Sequence, residues 1–400
     1  MIHRMQMGSV PPKPHTQLRE NGKLLMEQMI TRGGFNGPFS ILYYRRPPTD
    51  EVSVEPIEVP GFCPYELIPD QPLKRRHLKT WDTEPGGDFL TGRRTLMVSD
   101  GLILGVCKPR EPTDRFFMNG DNDELLFVFS GSGRLESLYG VMPFGRHDYL
   151  VIPKSTPYRL VIDNDDTTLL WLEGAEISVP SEWRNRWGQL SDFAPYSHRD
   201  FRGPERLLEG TGTGCEMVVK RQGALTLHRY EHFPFDVAGW DGVIYPVAFS
   251  IHDYQPKTGM VHLPPTIHVT FSGQQFVVCS FVPRKVDYHP QAIPCPYAHA
   301  NVDMDEILYY VEGNFTSRKG IGPESVSLHP AGITHGPHPG TYEKSIGTTE
   351  THELAVMIDC YPPFRLTTAA AAVEDEEYHF SWVKPADEER LKDQPSWPPE

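Results

Sequence analysis

Two copies of one short pattern lie in this chain, and this internal repeat restricts the possible folds more than any other feature. Residues 119–131 read NGDNDELLFVFSG and residues 301–313 read NVDMDEILYYVEG. Each copy has Asn, then Asp two residues later, then Asp-Glu, six mostly apolar residues and Gly. Self-similarity of this kind predicts that one structural unit occurs twice within the fold.

The repeat continues beyond these segments. Downstream, residues 149–160 (YLVIPKSTPYRL) parallel residues 326–337 (VSLHPAGITHGP). Two positions change chemistry between the copies: Phe117 and Tyr158 in the first are His299 and His335 in the second. Since the carboxylate that the copies share is a poor site for a transition metal by itself, the contrast predicts metal binding in the second copy only.

The second copy brings together the residue types of a known metal site. His299, Glu306 and His335 offer two neutral imidazoles and one carboxylate, the facial triad typical of non-haem Fe(II) oxygenases. Seven of the 17 histidines fall between residues 262 and 338, which weakens the view that these are ordinary surface or core histidines. Glu306 keeps the Glu-x6-Gly register of the repeat, and Asp305 is the alternative carboxylate.

The spacing of glycine and proline favours an all-β fold. The chain has 39 Pro and 34 Gly, spread out rather than blocked. From about residue 95 they bound short runs rich in Val, Leu, Ile and Tyr, a pattern that predicts antiparallel strands in a sandwich or barrel. One helix is expected over residues 180–190.

Charge, cysteines and hydropathy exclude several classes of protein. With 53 acidic against 38 basic residues the net charge is −15, and no Lys/Arg-rich run is present, so nucleic acid is not expected as a partner. The six scattered cysteines include no Cys-x-x-Cys pair and are predicted to be free thiols. We expect no secretory signal, no membrane span and a cytoplasmic location.

The motifs carry a family resemblance. Glu-x6-Gly, a further strand, Pro and then His five residues later resemble the two motifs of the cupin barrel, and two copies resemble a bicupin. The chain is similar, more specifically, to the homogentisate 1,2-dioxygenase family in its shorter bacterial form. The matching stretches are VPPKPHTQLRENGKLLMEQM, ILYYRRPPT, GWDGVIYPVAFSIHDYQP, HLPPTIHVT, PYAHANVDMDEILYYVEGNF and SLHPAGITHGPHPG.

This resemblance implies an all-β bicupin, with two β-sandwich or jelly-roll barrels and few short helices. Residues 1–175 would form an N-terminal β domain with a degenerate, metal-free cupin, and residues 176–270 connecting strands and a helix that complete the double barrel. Residues 271–365 would form the C-terminal cupin with the metal site, and residues 366–400 a peripheral tail.

The resemblance also implies the roles of individual residues. Fe(II) would be the cofactor. The implied residues are His299, Glu306 and His335 for the metal, His262 for the base beside a substrate hydroxyl, and Tyr297, His329 and His335 for the substrate pocket. The implied reaction converts homogentisate and O2 into maleylacetoacetate in tyrosine and phenylalanine catabolism. A homo-oligomer, a trimer or hexamer, is the implied assembly.

Two positions keep alternatives open. Phe315 stands where the family has a Tyr that donates to the substrate, so another hydroquinone-type aromatic is the first alternative substrate. Asn301 stands where the three-histidine gentisate-type cupins have a second His, which counts against that group. An isomerisation on the same metal and a non-catalytic small-molecule binder are the remaining alternatives.

Overall fold

The computed structural model describes residues 3–69, 71–210, 213–260, 265–313 and 320–382. The strands, in chain order, are β1 (Met5–Gly8), β2 (Arg19–Glu20), β3 (Lys23–Leu24), β4 (Met26–Thr31), β5 (Phe39–Tyr44), β6 (Glu51–Ile57), β7 (Arg76–Lys79), β8 (Arg93–Val98), β9 (Leu102–Cys107), β10 (Phe116–Asn119), β11 (Asp123–Ser130), β12 (Gly133–Ser137), β13 (Gly140–Phe144), β14 (Asp148–Ile152), β15 (Tyr158–Ile162), β16 (Thr168–Gly174), β17 (Phe201–Arg202), β18 (Thr213–Arg221), β19 (Ala224–His232), β20 (Val237–Gly242), β21 (Val247–Ser250), β22 (Val269–Ser272), β23 (Phe276–Phe281), β24 (Arg284–Lys285), β25 (Asp305–Glu312), β26 (Ser325–His329), β27 (Glu350–Thr351), β28 (Leu354–Cys360) and β29 (Arg365–Leu366).

The helices among these residues are short. The α-helices are α1 (Thr341–Ser345) and α2 (Thr368–Ala371), and the 3₁₀ helices are Gly34–Asn36, Thr80–Asp82, Ser181–Trp183, His198–Asp200, Ile251–Asp253, Pro265–His268 and Tyr378–Phe380. No helix in the described part of the chain is long and apolar enough to cross a membrane.

Two sheets enclose the core of the first half. One has the strand order β13-β12-β15-β10-β18-β19-β6 and the other β17-β21-β14-β11-β16-β9-β8-β29. Apolar side chains of both sheets, Leu160 of β15 and Trp171 of β16 among them, form one buried cluster between the sheets. Burial on this scale is the main source of stability for a sandwich of this kind.

The second half is built on a six-stranded sheet with the order β22-β23-β28-β25-β26-β7. Because side chains alternate along a strand, β11 and β25 each present one face to the other half. Leu125 and Phe127 of β11 meet Ile307 and Tyr309 of β25 in one buried cluster. The two halves therefore share a core, and the opposite face of β25 is left for the site described below.

The ladders of the two halves are equivalent. Strand β11 pairs antiparallel with β14 and β16, and β25 pairs in the same way with β26 and β28. Glu124 lies opposite Glu173, and Glu306 lies opposite Asp359. The sequence repeat is thus a structural repeat, and the prediction of an all-β fold with few short helices is confirmed.

The two halves exchange strands at their edges. Strand β7, from the first half of the chain, pairs with β26, and β29, from the end, pairs with β8. Within the predicted peripheral tail, the described residues 366–382 are packed: Tyr378 is buried, and Arg76 donates to Glu374 at 2.7 Å. The domain boundaries themselves stay a prediction.

The helix expected over residues 180–190 is reduced to the single 3₁₀ turn Ser181–Trp183. Side-chain hydrogen bonds explain the difference. The Asn185 carboxamide oxygen accepts the N–H groups of Trp187 and Gln189, and Gly188 has a positive φ of 82°. Local side-chain bonds of this kind compete with helical ones, so the segment folds as a turn.

Candidate metal centre and its cavity

Strand β25 begins with two acidic residues, Asp305 and Glu306, which lie on opposite faces. Both oxygens of Asp305 accept backbone N–H groups, Oδ1 from Ala331 at 2.8 Å and Oδ2 from Phe364 at 2.9 Å. Glu306, the next residue, therefore points the other way, towards the histidines. This geometry favours Glu306 over Asp305 as the metal-binding carboxylate.

A backbone bridge holds the two histidines beside Glu306. The His299 N–H donates to the His335 carbonyl at 2.8 Å, and the His335 N–H donates back at 2.9 Å. Next to this bridge, a Cβ on Gly336 would lie 2.6 Å from the Ala298 Cα, and Gly336 has a φ of 151°. Glycine is therefore required for the close approach of the two chains.

The ring nitrogens of these histidines are oriented for metal binding. Nδ1 of His299 lies 3.1 Å from the Tyr297 carbonyl oxygen, and Nδ1 of His335 lies 2.9 Å from that of Ile333. A ligating histidine is commonly held by such a bond, which fixes the tautomer and aims the other nitrogen inward. The Nε2 atoms lie 3.6 Å and 3.4 Å from the Glu306 carboxylate oxygens.

These three side chains fit a divalent metal. One ligand atom from each of His299, Glu306 and His335 lies within 4.8 Å of the others. Nε2 of His335 is buried and has no hydrogen-bond partner, as expected of an atom reserved for a metal. The His299 side chain is 37% exposed and the Glu306 side chain only 11%, so the open coordination face lies on the His299 side.

Glu306 carries its charge in a buried position. Burial alone would raise the pKa of this carboxyl, but the imidazoles of His299, His329 and His335 outweigh it and hold the pKa well below its usual range. His329 is fully buried, and its Nδ1 lies 2.7 Å from Glu306 Oε1. A negative carboxylate is thus maintained where a cation is to bind.

Asp359 is an acidic neighbour that the sequence did not reveal. It lies opposite Glu306 on β28. Burial, followed by the charge of Glu306, raises the pKa of the Asp359 carboxyl to about 7. Only the ladder register, which cannot be read from one sequence, brings the two carboxyls together.

A cavity of about 730 Å³ lies against the metal centre. Its lining includes His299 and Glu306, and beyond them Leu308, Phe281 and Met357 from the central strands. Its volume is in the range of small-molecule sites, about 300–1,000 Å³. His268 also lines it, and burial, with a smaller contribution from Arg284, lowers the pKa of His268 to about 3, so this ring is neutral.

Tyr297 and His329, the other predicted pocket residues that the structure describes, lie in different places. Tyr297 is 56% exposed and lines the cavity, whereas His329 lies behind Glu306 and contacts its carboxylate. His262 and Phe315 lie outside the described residues. His338, the third histidine of the C-terminal motif, is buried and stacks on Trp382 at 4.2 Å between ring centroids.

In the first half, the place of the metal centre is taken by Arg93. Its Nη1 donates to Glu124 Oε1 at 2.7 Å and its Nη2 to the Tyr158 hydroxyl at 2.8 Å. The Tyr158 hydroxyl in turn donates to Glu124 Oε2 at 2.7 Å. The guanidinium is fully buried between aromatic rings, of which Phe89 is 4.2 Å and Phe117 4.8 Å from its central carbon.

Two models of known protein families match this chain in succession. The family model described as homogentisate 1,2-dioxygenase N-terminal matches residues 85–251, and the one described as homogentisate 1,2-dioxygenase C-terminal matches residues 243–388. The chain belongs to the homogentisate 1,2-dioxygenase family. This confirms the resemblance seen in the sequence and the bicupin fold class.

Individual proteins that are similar to this chain differ in how much of their sequence they share with it. A protein of Saccharolobus solfataricus, provisionally designated a dioxygenase, is 35% identical over 385 residues, 96% of this chain and 99% of that protein. The homogentisate 1,2-dioxygenase of Rhizobium leguminosarum bv. trifolii is 23% identical over 338 residues, 76% of this chain and 72% of that protein. A solved cupin 2 conserved barrel domain protein from Leptotrichia buccalis aligns with 75% of this chain and 99% of its own, with 8% identity and a TM-score of 0.30.

Proposed function

We propose that the protein is an Fe(II)-dependent ring-cleaving dioxygenase of hydroquinone-type aromatics, with homogentisate as the reference substrate and maleylacetoacetate as its product. The observation that carries this proposal is the His299–Glu306–His335 cluster with its open face on a cavity. With homogentisate, the reaction would belong to tyrosine and phenylalanine catabolism.

The donor set supports iron. Two imidazoles and one carboxylate leave coordination positions for substrate and O2, as in non-haem Fe(II) oxygenases. When bound, Fe(II) would supply the redox chemistry by which O2 enters the ring. The chain supplies the negative charge of Glu306, the fixed orientation of both imidazoles and a cavity beside them.

The remaining roles are assigned to residues around the centre. His262 would accept the proton of a substrate hydroxyl, because imidazole is the side chain best suited to act as a general base near neutral pH. His329 would hold Glu306 in place through its 2.7 Å contact. Tyr297, at the exposed side of the cavity, would contact the substrate. We further propose a cytoplasmic homo-oligomer, a trimer or hexamer.

The test is anaerobic reconstitution with Fe(II), followed by homogentisate and air. We expect oxygen uptake together with the absorbance of the ring-opened product. The same protein loaded with Zn²⁺ is the matched control, because zinc fits the triad but has no redox chemistry with O2. If oxygen is taken up only with another hydroquinone, that compound takes the place of homogentisate as the proposed substrate. If oxygen is taken up with none of them, the protein is better explained as a non-catalytic small-molecule binder.

His262→Ala tests the assigned base separately. This variant is expected to keep its iron and lose turnover, because His262 is not among the proposed ligands. Iron content is measured by elemental analysis and turnover by oxygen uptake. Normal turnover in this variant would show that another group accepts the proton.

A further inference from the structure

The inner face of β25 continues well past the metal ligand. Glu306, Leu308 and Tyr310 alternate along the strand and all three line the cavity. Their neighbours across the ladders line it too: Met357 lies opposite Leu308, and Ala355 lies opposite Tyr310. The cavity is therefore a slot that runs along the strand rather than a pocket around the metal alone.

The length of the slot follows from strand geometry. A strand rises about 3.3 Å per residue, so the four steps from Glu306 to Tyr310 span about 13 Å. A single aromatic ring with an acetic acid side chain, placed on the metal, would fill only the end beside Glu306. The cavity volume of about 730 Å³ agrees with a longer occupant.

The first half of the molecule shows the same framework without a slot. Leu126 occupies the position of Leu308 in the repeat, and both are leucines on the inward face of their strand. Leu126 is fully buried among core side chains, whereas Leu308 is partly exposed. Opposite them, Trp171 in the first half is replaced by the smaller Met357.

One further position shows the same change. Leu169, opposite Val128 in the first half, is replaced by Ala355 opposite Tyr310 in the second. The second half thus has smaller apolar residues than the first at two equivalent positions of β28, although Tyr310 on β25 is larger than Val128 on β11. The smaller residues on β28 are the ones that leave room along the slot.

The far end of the slot changes from apolar to polar. Phe281 lies opposite Ala355, and the Arg284 guanidinium carbon lies 5.4 Å from the centroid of the Phe281 ring. Arg284 Nη2 pairs with Glu353 Oε1 at 3.1 Å, and the two side chains are 19% and 20% exposed. A ligand in the slot would thus run from the metal, past apolar walls, to an ion pair in contact with solvent.

We propose that the preferred substrate is a hydroquinone-type ring that carries an apolar arm, with the ring at the metal centre and the arm along Leu308, Met357, Ala355 and Phe281. This inference rests on the proposed function, because the ring must lie at the metal for the arm to reach the slot. Each methylene of the arm that is buried in the slot raises kcat/KM about fourfold.

The experiment compares alkyl-substituted hydroquinones of increasing chain length with homogentisate, using the Fe(II)-loaded enzyme and oxygen uptake. We expect kcat/KM to rise with each methylene until the arm reaches the Arg284–Glu353 pair, and then to level off. If kcat/KM is independent of chain length while homogentisate is cleaved, the proposed apolar arm of the substrate is wrong and the dioxygenase proposal stands.

Ala355→Leu restores the residue found at the equivalent position of the first half and is the matched variant. It is expected to abolish the gain with chain length and bring the long-arm compounds to the kcat/KM of the short ones. Thermal unfolding and iron content establish that the variant is folded and loaded. A wild-type dependence on chain length in this variant would overturn the placement of the arm.

Binding without turnover separates the two proposals. The dimethyl ethers of the same compounds cannot be oxidised as hydroquinones, and their Kd is measured by calorimetry under anaerobic conditions. If no hydroquinone supports oxygen uptake, the proposed function fails. In that case, ethers that bind more tightly with each methylene would still support the slot, and ethers that bind equally or not at all would overturn it.

Discussion

The two halves of the molecule hold a cation site on the same framework, but they fill it differently. In the first half, Asp123 accepts the backbone N–H groups of Lys154 and Ile177, just as Asp305 accepts those of Ala331 and Phe364 in the second. The glutamate that follows each aspartate points into its barrel.

The difference lies in what this glutamate meets. Glu124 pairs with the guanidinium of Arg93, a cation that belongs to the chain. Glu306 meets three imidazoles and an open cavity. Ile267, in the segment just before β22, lines that cavity with an uncharged side chain. The first barrel thus neutralises its buried carboxylate with its own arginine, whereas the second leaves its carboxylate in a cluster that could hold a metal ion.

The largest expected effect tests the metal side of this comparison. His335→Ala or His299→Ala is expected to abolish metal retention, because two ligands no longer form a facial site. Metal content after dialysis measures it. Tyr158→Phe, at the position of His335 in the first half, is the matched control and is expected to leave metal content unchanged; if His335→Ala also leaves it unchanged, the ligand assignment is wrong.

The second prediction tests the role of Arg93 as the partner of Glu124 in the first half. Arg93→Met is expected to lower the free energy of unfolding by about 3–5 kcal/mol, because it leaves the Glu124 carboxylate buried without its partner. Urea unfolding measures the effect. The double variant Arg93→Met, Glu124→Leu is expected to recover most of the loss, since an apolar pair of similar volume removes both charges. A single variant as stable as the wild type would show that Arg93 does not neutralise Glu124.

The third prediction concerns the carboxyl groups across the ladder. The pKa of Asp359 is raised in the folded protein from 3.8 to about 7, so metal-free protein loses stability as the pH rises through this range. Asp359→Asn is therefore expected to stabilise the metal-free protein by about 2–4 kcal/mol at pH 8, and by less at pH 5. Urea unfolding at the two pH values is the measurement.

The equivalent residue in the first half is predicted to behave in the opposite way. Glu173 is buried and pairs with Lys220 at 2.5 Å. Glu173→Gln should destabilise the protein, because it leaves the Lys220 charge without its partner. If both variants change stability in the same direction, the two carboxyls do not have the opposite environments described above.

The smallest expected effect lies between the two halves. Arg146 and Glu312 form an ion pair across the boundary, with side chains 57% and 43% exposed. Because exposed pairs contribute little, Arg146→Ala is expected to change the free energy of unfolding by less than about 1 kcal/mol. Equilibrium unfolding checks this, and a larger loss would mean that the halves depend on this contact rather than on their shared core.

The sequence predicted the repeat, the all-β class and the cluster of His299, Glu306 and His335, because these follow from local patterns. Arg93 was not predicted as the occupant of the first site. It lies outside the repeated segment. Only the successive pairing of β8 with β9, of β9 with β16 and of β16 with β11 brings it to Glu124. The same limit applies to Asp359, whose distance from Glu306 depends on strand register.

The described part of the tail makes contacts that the sequence did not predict. Glu374 meets Arg76 and Lys74, which lie about 300 positions earlier in the chain. Charge complementarity over that sequence separation cannot be read from one sequence. The prediction of a helix over residues 180–190 is wrong because Asn185 and Gly188 favour a turn. Both residue types are visible in the sequence and are typical of turns.

The exchanged edge strands make each half of the molecule depend on the other. Strand β7 completes the sheet of the metal-binding half, and β29 completes a sheet of the other. A cut in the linker between the halves would leave each fragment with a foreign strand and a vacant sheet edge, and such an edge promotes aggregation. Each half therefore depends on the other for an edge strand, and the half that contains Arg93 supplies one to the sheet of the candidate metal centre.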